Sequence, residues 1–350
     1  MNFTENFDII KIFLLTTVAF CITFAWTPLL THFLYKYRLG KKIRPEQETP
    51  VFSKMHQQKS GTPTMGGILI WLSTLFLALL FYVLKYTFHI EFLEKISFLT
   101  RPQTLLPLGA LVASAIVGLA DDWLNIKGVG STGGGLRIRI KLLLYLLIAI
   151  VGAYWFYFRL DWTTLHLPFI GNYDIGIWYI PFFIFIIVAT AFSVNEIDGL
   201  DGLSGGTLLA AFGAYGAIAF AQGKTELAAF CGVIIGALLA FLWFNINPAR
   251  FFMGDTGSMS LGVTLGIVAM LTNAALLLPV IGLLFMVTSL SVLMQIFSKK
   301  VFKQKMFFSS PLHHHLEASG WTEPKIVMRY WIIAGVTAVV GVIIFLIDKT

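Results

Sequence analysis

The sequence predicts an all-α polytopic integral membrane protein of about ten transmembrane helices, and three observations predict it. The residues AVILMFWYC make up 57% of the 350-residue chain. Charged residues make up 12%, about half the ~25% usual in soluble domains. Apolar stretches recur along the whole chain, and a bilayer-spanning helix needs about 20 mostly apolar residues. This composition excludes a soluble globular enzyme. It also excludes a disordered chain, which combines low hydrophobicity with high charge.

The stretches are, in order, Ile12–Leu34, Met65–Leu84, Leu105–Leu119, Leu142–Phe158, Ile177–Val194, Leu203–Ala221, Leu227–Phe244, Met259–Leu271, Ala274–Phe297 and Ile326–Ile347. The first follows Glu5 and Asp8 and lacks the basic start and small-residue cleavage site of a signal peptide, so it reads as a permanent span. The third and eighth are short. They extend into flanking polar residues, or one is re-entrant. The ninth is long and carries Pro279 and Gly282, which predicts a bend or a break.

Ten spans create two sets of connections. The set at 35–64, 120–141, 195–202, 245–258 and 298–325 holds most of the 25 Lys and Arg. The positive-inside rule makes that set cytoplasmic and leaves both termini outside. The net charge of +7 belongs to this topology, and nucleic acid is not expected as a partner. Cys21 and Cys231 sit in apolar runs, so neither a disulfide framework nor a Cys-based zinc site is expected. No repeat or soluble insertion divides the chain, and one membrane domain over 1–350 is the simplest organisation.

The polar clusters lie on the predicted cytoplasmic face. "GLADDWLN" places Asp121 and Asp122 at the end of the third span. A single Asp at the centre of a spanning helix costs about 2.5–3.5 kcal/mol, so this pair belongs at an interface or in a wet cleft. On its own it reads better as a polar helix end. "SVNEIDGLDGLSGG" repeats Asn195, Asp198 and Asp201 every third residue, a spacing that on a helical turn presents oxygen ligands into one cleft. "FNINPARFFMGDTGS" supplies Asn245 and Asp255. For Asp255, an ordinary N-cap and a ligand are equal readings.

"SSPLHHHLEASGW" carries His313, His314 and His315. Consecutive helical residues point about 100° apart, so the three cannot share one metal, and hydrogen bonding to an anion is the better role. "HQQKSGTPTMGG", with His56, Lys59 and Thr62, and "IKGVGSTGGGLRIRIK", with Lys127, Arg137, Arg139 and Lys141, suit phosphate, and Gly-rich backbone can form an anion nest. Arg137 and Arg139 read more simply as lipid-facing charge. Carboxylates with oxygen partners suit Mg²⁺, typically held by one or two carboxylates plus substrate phosphates. Chemistry at such a face suits one soluble and one lipid-borne reactant.

The motifs "KSGTPTMGG", "ADDW", "NEIDGLDGLSGG", "FNINPARFFMGDTGS" and "PLHHHLEASGW" occur in the order seen in phospho-N-acetylmuramoyl-pentapeptide transferases, members of the polyprenyl-phosphate N-acetylhexosamine-1-phosphate transferase superfamily. The chain resembles that family over nearly its whole length. "PLHHH" resembles the muramoyl-pentapeptide branch rather than the N-acetylglucosamine-phosphate branch. The resemblance implies a multi-pass enzyme of the bacterial inner (cytoplasmic) membrane, with its active-site cleft on the cytoplasmic face. It implies Mg²⁺-dependent transfer of phospho-N-acetylmuramoyl-pentapeptide from UDP-N-acetylmuramoyl-pentapeptide to undecaprenyl phosphate. The products would be lipid I and UMP, in the first membrane step of peptidoglycan synthesis. It further implies a homodimer.

Carried over by motif, the resemblance makes Asp255 the Mg²⁺ ligand, and Asp121, Asp122, Asp255, His313 and His314 the catalytic set. Lys59, Thr62, Lys141, Asn195, Asp198, Asp201, Asn245 and His315 become substrate-binding positions. One position departs from the family. Asn125 stands where a Lys is usual, and Lys127 is a possible substitute two residues on. The carrier lipid implies an apolar groove open to the bilayer, which the ninth segment is expected to line. Other classes fit less well. An ion-coupled transporter places its acids near the midplane on broken helices, a membrane prenyltransferase has no place for the His cluster, and a lipid scaffold does not need this polar inventory.

Overall fold

In hydrocarbon every backbone polar group must be satisfied within the segment, so the apolar stretches form helices. The computed structural model describes residues 3–40, 59, 61–130 and 134–349. It contains α1 (Phe3–Lys36), α2 (Ile68–Phe88), the short α3 (Glu91–Ile96), α4 (Leu105–Lys127), α5 (Ile138–Arg159), α6 (Tyr179–Ile197), α7 (Leu203–Ala221) and α8 (Thr225–Asn245). These are followed by α9 (Asp255–Leu271), α10 (Leu278–Ile281), α11 (Leu283–Val301), α12 (Leu312–Ala318) and α13 (Glu323–Lys349). Among the described residues, nine helices are long and apolar enough to cross a membrane, and α9, at 17 residues, is a shorter apolar one. Hydroxyls inside them fold back on their own helix. Thr27 donates to the Thr23 carbonyl at 2.6 Å and Thr264 to that of Ser260 at 2.7 Å.

The expected spans are all present, with two adjustments. The third extends to Lys127, so Asp121 and Asp122 lie inside a helix. The eighth begins at Asp255, four residues before the expected start. The ninth is broken as expected. Gly282 separates α10 from α11 with φ −101° and ψ 33°. The fold is not purely helical. β1 (Thr164–Leu167) and β2 (Gly171–Asp174) form an antiparallel hairpin in the connection between α5 and α6, where no motif drew attention.

α9 is the centre of the molecule. Every residue from Thr256 to Leu271 is buried, as befits a helix that is apolar on all sides. Glycines bring its neighbours close. A Cβ on Gly262 would lie 2.8 Å from Ala191 Cα of α6, and one on Gly118 of α4 would lie 2.3 Å from the Asp255 carbonyl oxygen. The same small-residue spacing joins α8 to α1, where a Cβ on Gly236 would lie 2.1 Å from the Thr16 carbonyl oxygen. Buried apolar side chains form one contiguous core. Phe13, Leu29, Phe185 and Trp243 remain exposed on the outside, where hydrocarbon rather than water is the fitting solvent.

Successive long helices run up and down, so the motif-bearing connections gather at one end. The C-termini of α4, α6, α8 and α11 meet the N-termini of α5, α7, α9 and α13 there. The hairpin, the start of α1 and the end of α13 lie at the opposite end, where Asp348 meets His166 and Asp8 meets Thr225.

Candidate active site

α9 begins at the motif end without a cap of its own. Gly254 occupies the cap position at φ 75° and ψ 173°, and Asp255 is the first helical residue. The orphan amides of that first turn are met from another helix. The Asp122 carboxylate of α4 accepts the amides of Asp255 and Thr256, each at 3.1 Å. A carboxylate at a helix N-terminus is favoured by both hydrogen bonding and the macrodipole. Asp255 is therefore not the N-cap, and its side chain faces across the bundle end.

There it meets Lys141, in the first turn of α5. The ammonium group contacts Asp121 Oδ2 at 2.6 Å and is also paired with Asp255 Oδ2. The remaining Asp255 oxygen accepts from Asn195 Nδ2 at 3.1 Å, and the same amide donates to Ser258 Oγ at 3.0 Å. Asp121 Oδ1 accepts the Leu136 amide, which ties the residue ahead of Arg137 and α5 to α4. Four helices thus place two carboxylates on one ammonium group, with Asp121 buried.

A second cluster lies on the neighbouring connections. Lys59 Nζ contacts Asp201 Oδ1 at 2.7 Å and Glu323 Oε1 at 2.5 Å. Asn247 Nδ2 donates to the other oxygens of both acids, at 3.0 Å to Asp201 and 3.1 Å to Glu323. Asn245 joins the two loops, accepting the Gly202 amide at 2.9 Å and donating to the Phe251 carbonyl at 2.8 Å. The Thr62 amide donates to the Lys59 carbonyl at 3.2 Å. Beyond it the chain lies along the 252–253 backbone, with the Gly66 and Gly67 amides on the Phe252 and Met253 carbonyls at 2.8 Å.

The regular spacing of Asn195, Asp198 and Asp201 does not mark a helical face. α6 stops at Ile197, and Gly202 at φ 79° begins α7. Asn195 turns to Asp255, Asp198 accepts from Ser204 Oγ at 2.6 Å, and Asp201 joins Lys59. The three serve different partners because α6 ends between Asn195 and Asp198.

α12 sets the histidines against that same loop. A Cβ on Gly199 would lie 2.3 Å from His313 Nε2 and 2.9 Å from His314 Nε2, so only glycine fits beneath the two rings. His314 Nδ1 pairs with Glu317 Oε2 at 2.7 Å. His315 points elsewhere. Its Nδ1 accepts the Phe308 amide at 3.2 Å, and its ring lies 5.3 Å from that of Phe308. Lys127 does not replace the missing Lys at Asn125. Two residues on a helix point about 200° apart, and Lys127 Nζ sits 5.1 Å over the Trp123 ring instead. Arg137 and Arg139 are exposed. His56 lies outside the described residues.

Glu323, Asn247 and Glu317 carry much of this network and were not singled out from the sequence. Glu323 had a signal, since it follows Thr322 and precedes Pro324 at the start of a span, the pattern of a helix N-terminus. Asn247 and Glu317 sit inside motifs already marked for other residues.

Known proteins resemble this chain over most of its length. The profile of Glycosyl transferase family 4 matches residues 104–273, and Phospho-N-acetylmuramoyl-pentapeptide-transferase signature 1 matches residues 59–70. The phospho-N-acetylmuramoyl-pentapeptide-transferase of Chloroflexus aggregans is 38% identical over 353 residues, covering 97% of this chain and 91% of that protein. This chain belongs to that transferase family. The Geobacillus sp. (strain WCH70) member is 40% identical over 329 residues, covering 93% of this chain and 95% of its own length. The Clostridium novyi member is 36% identical over 326 residues, with 93% and 94% covered. The transferase signature spans Lys59 and Thr62. The broader family profile runs from the residue before α4 to just beyond α9, so it contains Asp121, Lys141, Asn195 and Asp255.

Proposed function

We propose that this chain transfers phospho-N-acetylmuramoyl-pentapeptide from UDP-N-acetylmuramoyl-pentapeptide to undecaprenyl phosphate in the bacterial inner membrane, giving lipid I and UMP. We further propose a homodimer, with the Asp255 end facing the cytoplasm and both termini outside. The observation that carries this reading is the meeting of Asp121, Lys141, Asn195 and Asp255 at one end of a multi-pass bundle. The family relationship supports it over nearly the whole chain. A transporter would place its acids near the midplane on broken helices. These acids lie within the last two turns of α4 and at the start of α9, and the broken segment, α10 and α11, carries no Asp or Glu.

The reaction needs an oxygen of the carrier phosphate to attack the β-phosphorus of the donor. The bond from that phosphorus to the α–β bridging oxygen breaks, and UMP leaves with the electron pair. A phosphate monoester has its second pKa near 6, so the nucleophile is largely dianionic at pH 7 and no proton has to be removed. Asp121 then acts chiefly by holding Lys141 and the 136 backbone. The Lys141 ammonium group offsets charge that builds on the transferring and leaving phosphates. His313 and His314, above Gly199, offer imidazole nitrogens to phosphate oxygens entering beside the 195–201 loop. Lys59 and Asp201 bind on the nucleotide side.

The oxygen donors fit Mg²⁺. Among the described residues no cluster of three or more His, Cys, Asp or Glu could hold a metal by itself, and Mg²⁺ typically takes one or two carboxylates plus substrate phosphates. Asp255, with Asp121 beside it, would hold the ion. When bound it would neutralise phosphate charge as a Lewis acid.

The test is UMP release by purified protein with both substrates, with and without Mg²⁺, and with Asp255→Asn as control. Release that needs both substrates and Mg²⁺ and is lost in the variant supports the reading. Release with UDP-N-acetylglucosamine but not with the muramoyl donor overturns the substrate assignment.

A further inference from the structure

The end of α11 is a folded basic hook. Lys299 and Lys300 occupy its last turn, and Lys303 and Lys305 follow in the connection to α12. All four are exposed, and no Asp or Glu occurs from residue 256 to residue 316. Large apolar side chains are interleaved with them. Phe297, Phe302, Met306 and Phe308 are 60%, 63%, 55% and 69% exposed.

The hook has a definite shape. Buried Gln295 donates from Nε2 to the Phe307 carbonyl at 3.0 Å, and its Oε1 accepts the amides of Met306 and Phe307 at 3.1 and 2.9 Å. Ser298 Oγ donates to the Gln304 carbonyl at 2.9 Å. These bonds turn the chain back on α11, so the lysines and rings are held outward on a scaffold.

We propose that residues 297–308 form a docking surface for anionic phospholipid headgroups, with the lysines on the phosphates and the four large side chains in the acyl boundary. A soluble diphosphate or carboxylate would engage the lysines and leave the phenyl rings in water. A bilayer interface satisfies both kinds of side chain at once. Position supports the same occupant. α11 is apolar and long enough to cross a membrane, and the hook begins in its last turns. Docking also reaches the candidate site, because Phe307 and Phe308 pack on His315, the neighbour of His313 and His314. Lipid that immobilises the hook thereby steadies α12.

The experiment places the full chain in nanodiscs of phosphatidylcholine, alone or mixed with phosphatidylglycerol. Retained lipid is counted by native mass spectrometry. The expected result is enrichment of phosphatidylglycerol over the bulk ratio. That enrichment should fall several-fold when Lys299, Lys300, Lys303 and Lys305 are all changed to Gln, and should weaken at high salt. Equal enrichment in the variant overturns the proposal. So does a variant that keeps its lipid but binds the UDP-linked donor more weakly, because the lysines would then serve the soluble substrate. Hydrogen exchange on the unmodified protein needs no variant. Protection of 297–308 should rise when phosphatidylglycerol is present, and no change there overturns the proposal. Neither readout uses turnover, so each stands apart from the transferase assignment.

Discussion

Asp121 and Asp122 are adjacent, yet the fold uses them differently. Asp121 faces Lys141 and the 136 amide, whereas Asp122 caps α9 from outside. Removing the cap by Asp122→Ala should cost about 0.5–2 kcal/mol of stability. Asp122→Asn, which keeps one acceptor oxygen, should recover part of it, and thermal unfolding in detergent is the measurement. Asp255→Asn leaves that cap intact and should instead lower kcat by roughly 10²–10³ with little change in stability. For Asp121→Asn the pH–rate profile separates two roles. An unchanged acidic limb with a reduced rate marks a positioning residue, whereas loss of the limb would make Asp121 the general base.

At the scale of elements, α9 depends on its neighbours at both ends. Asp122 meets its N-terminus, and at its C-terminus Lys224 donates to the Leu271 carbonyl and Gln222 to that of Thr272, each at 2.7 Å. Its sides depend on glycine. Gly262→Leu would drive a side chain into the α6 backbone at Ala191, and an overpacked core typically loses about 1–3 kcal/mol or more. Since Asn195 is on α6 and Asp255 on α9, activity should fall with stability in that variant. Gly199→Ala is the contrasting case. It displaces His313 and His314 from the loop at the end of α6, and should reduce turnover more than melting temperature.

Across the whole molecule, the hairpin ties the far end of α13 to the rest. His166 pairs with Asp348 through Nε2 and with Asn172 Oδ1 through Nδ1 at 2.8 Å, and the Phe169 amide donates to Asp348 at 2.6 Å. Burial opposes the charged ring, but the hydrogen bonds to Asp348 and Asn172 and the Asp348 charge outweigh it, so the His166 pKa is raised. The folded state therefore binds the proton more tightly than the unfolded chain does. The stabilisation is fully present below the ordinary His pKa of about 6.5 and is lost as pH rises through the higher folded value. Melting curves should show His166→Gln destabilising more at pH values below 6 than above 8. A pH-independent difference would contradict the pairing.

Composition and span-length apolar runs by themselves determined a polytopic helical bundle, because only a helix satisfies its own backbone in lipid. They also determined that the motifs gather at one end, since alternate connections hold them. Pro279 and Gly282 in one long segment foretold the break at Gly282. The tertiary structure alone decided partnership. A regular three-residue spacing suggested one ligand face at Asn195, Asp198 and Asp201, and the end of α6 at Ile197 dispersed it. Local pattern could not show that Asp122 caps a helix 133 residues away, or that Glu323 closes on Lys59 across the bundle. Such pairs form between distant segments, and their register depends on how closely α9 packs against α4 and α6, which one-dimensional pattern does not encode.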